Sequence, residues 1–129
     1  MTIIRPPAVA GTFYPADADL LRSEIDGLMD AAFKSEQAQG DAIPKAIIVP
    51  HAGLMFSGAI AALGFATVRA LKGTVKRIVI VGPAHRMAFQ GVALAKADGF
   101  ATPLGTVKCD LAGLQTALSW PQVQILDDA

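Results

Sequence analysis

Between residues 17 and 34 the apolar positions recur at helical spacing. Leu20, Leu21, Ile25, Leu28, Met29, Ala32 and Phe33 fall on one face, while Glu24, Asp26 and Lys34 lie elsewhere on the surface. Asp17 or Asp19 can cap this helix by accepting orphan N–H groups of its first turn. A polar loop, "SEQAQGDAIP", follows. The texture then changes: "KAIIVP" (45–50) is apolar on both faces, as a parallel strand covered by helices requires. Residues 58–71 are almost wholly Ala, Gly, Leu, Phe and Val, which predicts a buried helix capped by Ser57 and closed by Gly73 and Thr74. "KRIVIVG" (76–82) reads as a second fully apolar strand. Strand, helix and strand together have the size of one βαβ crossover. "VALAKA" (92–97) predicts a third strand, "TPLGTV" a turn into a short element, and Asp110 can cap a last helix carrying Leu111, Leu114, Ala117 and Leu118. Residues 5–16, "RPPAVAGTFYPA", are too rich in Pro and Gly for a helix or central strand and read as an ordered arm. The expected fold is α/β, a mainly parallel central sheet flanked by helices, in one domain over residues 1–129.

Composition narrows the function classes. Hydrophobic residues make up 53% of the chain and charged residues 17%, enough for a core and too apolar for disorder. Eleven Lys and Arg balance eleven Asp and Glu without a basic block, so no nucleic-acid partner is expected. The one cysteine, Cys109, cannot form an internal disulfide and reads as a small packed hydrophobe in a reducing cytoplasm. Prolines interrupt the N-terminus where a signal peptide needs a continuous apolar core. Residues 46–68 lack acidic or basic side chains apart from His51 and reach the roughly 20 residues of a membrane span. Pro50-His51-Ala52-Gly53 breaks that run, and strand, turn and buried helix explain it better than a membrane does.

The chemistry concentrates in the two histidines. His51 follows the first predicted strand after Pro50, and His85 follows the second after Gly82-Pro83-Ala84. In open α/β sheets ligands bind at the carboxyl edge, and adjacent strands lie about 4.8 Å apart, so two such imidazoles can converge. Paired neutral imidazoles begin a transition-metal site that needs one or two more ligands. Gly53 and Ser57, leading into a helix N-terminus, can instead offer backbone N–H groups to an anion, although no P-loop pattern follows. Arg86 can hold an anionic substrate, and Tyr14 in the arm can reach the edge of the site. On the residues alone, metal site and anion site both stand.

"RPPAVAGTFYPAD", "VPHAGLMFSGAIAA", "IVIVGPAHR" and "TPLGTVKCD", in that order, resemble the Memo family, known in bacteria and archaea as AmmeMemoRadiSam system protein B. The resemblance implies a fold like that of class III extradiol dioxygenases, with His51 and His85 lining a non-haem iron or copper site. It implies dioxygenase-like or redox chemistry on a small molecule or peptide. It also implies an alternative, a non-enzymatic peptide- or anion-binding scaffold using the same cleft. Family members are about twice as long, and their third metal ligand, usually a cysteine, lies much later than Cys109. The chain therefore resembles an N-terminal half, lacking that ligand and exposing an edge through which copies could self-associate.

Overall fold

The computed structural model describes residues 1–38 and 42–126; residues 39–41 of the predicted polar loop and residues 127–129 lie outside the described residues. Contacts gather into two compact units, Ala8–Lys76 and Met1–Pro7 with Arg77–Ala129.

In the first unit, α1 (Ala18–Phe33) starts where the sequence places it. The Asp17 carboxylate accepts the N–H groups of Asp19 and Leu20 at 3.0 and 2.9 Å, which fixes the first turn. The next helix, α2 (Leu54–Ala66), begins and ends earlier than its predicted span. Gly53 is its N-cap, and the Gly53 carbonyl accepts the N–H groups of Phe56 and Ser57 at 2.9 and 3.1 Å. Ser57 is thus inside the first turn, not the cap, and its hydroxyl donates back to the Ala52 carbonyl at 2.8 Å. At the far end the Thr67 hydroxyl donates to the Gly64 carbonyl, and a short 3-10 turn over Arg69–Leu71 takes up the rest of the predicted helix.

The two helices meet through small residues. Ala32, Ala62 and Ala66 form the buried centre, with Leu28, Met29, Phe33 and Leu63 packed around them. Gly58 belongs to the same close approach, since a Cβ there would stand 2.8 Å from Leu28 Cδ1. The Arg69 guanidinium lies 5.0 Å from the centre of the Phe33 ring, a cation–π contact at the edge of this core. Only one stripe of α2 is buried this way. Met55, Phe56 and Ile60 point to solvent, so a helix apolar all round is covered on one side.

The second unit holds strands β1 (Ile4–Arg5), β2 (Val92–Ala95), β3 (Gly99–Thr102), β4 (Gly105–Lys108) and β5 (Val123–Leu126), with α3 (Leu111–Leu118) before the last. β1 pairs parallel with β3, and β3 pairs antiparallel with β4. β2 and β5 form a separate parallel pair running from Val92 opposite Val123 to Ala95 opposite Leu126. The β3–β4 turn closes at Gly105, whose φ of 129° suits glycine, and Thr102 Oγ1 bridges it by accepting from Leu104 N–H and donating to Gly105 O. Asp98 fastens β1. Its carboxylate accepts the Ile3 N–H at 2.7 Å, and its own N–H donates to the Ile3 carbonyl at 2.8 Å. Asp110 caps α3 as the sequence predicts, accepting the Gly113 N–H at 3.1 Å and pairing with Arg77. The Gly113 N–H, followed by the Arg77 guanidinium, holds the Asp110 carboxyl below its ordinary range.

The molecule is therefore α/β, but its sheet differs from the expected one. Among the described residues, Lys45–Pro50 and Lys76–Gly82 carry no strand pairing, and the predicted crossover keeps only its helix. The reason is physical. A segment apolar on both faces is stable as a strand only with a ladder on its edges and cover on both sides. Among the described residues neither Ile48 nor Ile78–Val81 lies in a paired strand, and all five side chains are exposed. No helix among the described residues is long and apolar enough to cross a membrane.

Candidate functional site

His51 stands at the end of "IIVP", two residues before the N-cap of α2, and is exposed. What fixes its downstream neighbours is the N-terminal arm. Phe13 N–H donates to the Val9 carbonyl at 2.9 Å, Gly11 N–H to the Tyr14 carbonyl at 2.7 Å, and Ala10 bridges to Tyr14. This tight loop needs Gly11 at φ 82°. It presents the Phe13 carbonyl to the first N–H of α2, Leu54, at 2.8 Å. A partial negative charge thus meets the positive end of the helix. The fit is close: a Cβ on Gly53 would lie 3.3 Å from the Phe13 oxygen and 3.4 Å from its Cα.

The same geometry defines what Gly53 and Ser57 can offer a ligand. The buried Ser57 donates its N–H to the Gly53 carbonyl and its hydroxyl to the Ala52 carbonyl. Both donors are taken up inside the turn, and the Leu54 N–H is taken by Phe13. Tyr14 is half-buried within the arm, in the same unit as His51.

His85 and Arg86 belong to the other unit, on an exposed stretch without regular secondary structure after the apolar run Ile78–Val81. The residues named from the sequence thus fall into two sets: Tyr14, His51, Gly53 and Ser57 in one unit, His85 and Arg86 in the other. Cys109 is half-buried, and its N–H donates to the Asp98 carbonyl at 2.9 Å. A hollow of about 280 Å³ opens beside α3, walled by Ile3, Leu94, Leu111, Leu114, Leu118 and Ile125; none of the named site residues lines it.

For a metal the donor chemistry is apt and the donor set is short. Imidazole suits iron and copper. Yet among the described residues no group of three His, Cys, Asp or Glu side chains comes together to hold an ion. Reading the sequence alone misses the link from Phe13 to Leu54, because it runs through backbone atoms. Its one visible trace is a glycine after His51 combined with a Pro- and Gly-rich arm.

The family model of Memo-like proteins matches residues 5–128. Among relatives, a MEMO1 family protein of Methanopyrus kandleri is 39% identical over 82% of this chain and 38% of its own length. One from Aquifex aeolicus is 34% identical over 92% of this chain and 41% of its own. Another, from Methanobrevibacter smithii, is 32% identical over 98% and 47% respectively. The chain spans less than half the length of these relatives.

Proposed function

The chain belongs to the Memo-like protein family, and from that premise we propose that His51 and His85 are two ligands of one non-haem metal site, for iron or copper. The observation that carries the reading is their placement. The only histidines of the chain each follow a β-branched apolar run and a proline at short range, in "IIVPHAG" and "IVIVGPAH". Their imidazoles would hold the ion through ring nitrogens, and when bound such an ion supplies redox or dioxygen-activating chemistry. The substrate class that fits is a small aromatic molecule or a protein side chain. Among the described residues no third His, Cys, Asp or Glu side chain gathers with His51 and His85, so a third ligand would come from elsewhere. The lone Cys109 favours a reducing cytoplasm as its compartment.

The chain's own residues supply position. Tight packing of Gly53 against Phe13 fixes the turn that follows His51. Arg86, next to His85, offers an anion-directed cation. The other reading, a peptide- or anion-binding scaffold without turnover, has less support, because the Ser57 donors and the Leu54 N–H are already committed.

Anaerobic titration with Fe(II) and Cu(II) tests the reading. We expect one weakly held ion per chain. His51→Ala and His85→Ala should each weaken binding about as much as the double substitution, because both imidazoles serve one ion. Unchanged binding in either single variant, or two independent ions lost one at a time, would overturn it.

A further inference from the structure

Ser57 is the only polar side chain of α2, whose other residues are Leu, Met, Phe, Gly, Ala and Ile. It is 6% exposed. Alanine is a better helix former than serine, and a buried hydroxyl costs free energy unless it is bonded. Helix propensity and packing alone therefore favour alanine here. What the hydroxyl adds is seen in its acceptor. A helical serine ordinarily bonds back to the carbonyl four residues earlier. In α2 that carbonyl, of Gly53, already accepts the Phe56 and Ser57 N–H groups, and Ser57 Oγ lies 3.4 Å from it. The shorter bond, 2.8 Å, goes one residue further, past the N-cap to the Ala52 carbonyl. Among the described residues no backbone N–H donates to that oxygen, so the Ser57 hydroxyl is what ties it to the helix.

Ala52 follows His51 directly, and Pro50 precedes it with φ held at about −65° by its ring. His51 is thus the single residue between a rigid ring and a carbonyl held by a buried donor. We propose that Ser57 is a positioning residue for His51: its hydroxyl holds the Ala52 peptide, which limits the directions the imidazole can take toward an ion. The role toward an ion rests on the metal reading of His51; the hold on the backbone does not. The one hydroxyl proton is engaged by Ala52, so Ser57 acts through the backbone.

Ser57→Ala removes the hydroxyl, and Ser57→Thr and Ser57→Val test it at constant shape, since that pair differs in the hydroxyl alone. Nitrogen-15 relaxation of the purified, metal-free chain reads the order of the His51 and Ala52 amides, and Cu(II) titration reads affinity. We expect order parameters of about 0.85 at both amides in the wild type and in Ser57→Thr, and below about 0.6 in Ser57→Ala and Ser57→Val. The α2 amides from Ile60 to Leu63 should keep their order in all four proteins. Copper affinity should fall about tenfold in the alanine and valine variants and recover in Ser57→Thr, as for a lost bond behind a metal ligand. Low order at His51 in the wild type, or full order at His51 in Ser57→Ala, would overturn the proposal. So would a folded Ser57→Thr that behaves as Ser57→Val does, or order lost equally along α2, which would mark a serine that serves the helix only. If the wild type takes up no copper, the metal reading fails, and the relaxation data by themselves decide whether Ser57 holds His51.

Discussion

Gly53→Ala probes the joint that follows His51, and its cost can be worked from the structure. Gly53 has φ −54° and ψ 148°, a conformation open to any residue, so the constraint is space alone. The added Cβ would meet the Phe13 carbonyl oxygen at 3.3 Å and Phe13 Cα at 3.4 Å. Both are backbone atoms, and the oxygen is held by the Leu54 N–H, so Phe13 can yield only by stretching that bond. Alanine is also a poorer N-cap than glycine by about 0.5–1 kcal/mol. Weakening one backbone hydrogen bond adds about 1 kcal/mol. The expected loss is therefore about 1.5–2 kcal/mol, which lowers a urea midpoint by about 1–2 M at the small m-value of a short domain. Far-UV circular dichroism in urea measures it. Gly53→Ser separates the two causes: it restores the cap and keeps the Cβ, so it should recover only the capping part. Wild-type stability in Gly53→Ala, or full recovery in Gly53→Ser, would refute the close contact as the constraint.

Other perturbations have equally definite outcomes. Asp17→Ala removes the acceptor for two N–H groups of α1 and should cost about 1 kcal/mol in urea unfolding, while Asp17→Asn should retain most of it. Gly91→Ala should cost more than about 2 kcal/mol and open the β2–β5 pair, because Gly91 sits at φ 87° and a Cβ there would run into the Gln122 carbonyl; rapid exchange of the β2 amides is the readout. The depressed Asp110 carboxyl makes its cap pH-dependent in a fixed sense. Its stabilising effect is complete above the unfolded value of 3.8 and is lost as pH falls through the lower folded value. Acid titration of α3 amide protection should show that loss in the wild type and not in Asp110→Asn; identical acid profiles would contradict the assignment.

How far the sequence foretold this molecule depends on what kind of signal each feature leaves. α1 and α3 were legible because a capping aspartate precedes apolar residues at helical spacing, and Asp17 and Asp110 both cap. α2 was legible as a helix but not in its bounds. A run apolar on every side has no phase, and its cap is a glycine, so the eye goes to Ser57. Lys45–Pro50 and Lys76–Gly82 were read as strands because their composition records the environment they require. Composition does not record whether neighbours are present to provide it, and here Ile48 and Ile78–Val81 remain uncovered. At the candidate site the side chains were legible and the scaffold was not. His51 and His85 announce themselves by type and position, whereas the arm's grip on α2 passes through the Phe13 carbonyl, which has no side-chain signature.

If His51 and His85 bind one ion, counting the nitrogens on that ion will show it. One equivalent of Cu(II) added to the purified chain can be examined by electron spin-echo envelope modulation, which resolves coupling to the remote nitrogen of a bound imidazole. Two imidazoles per copper are expected in the wild type and one in each of His51→Ala and His85→Ala. A wild-type spectrum with a single imidazole per copper, unchanged when either histidine is removed, would contradict the shared ion.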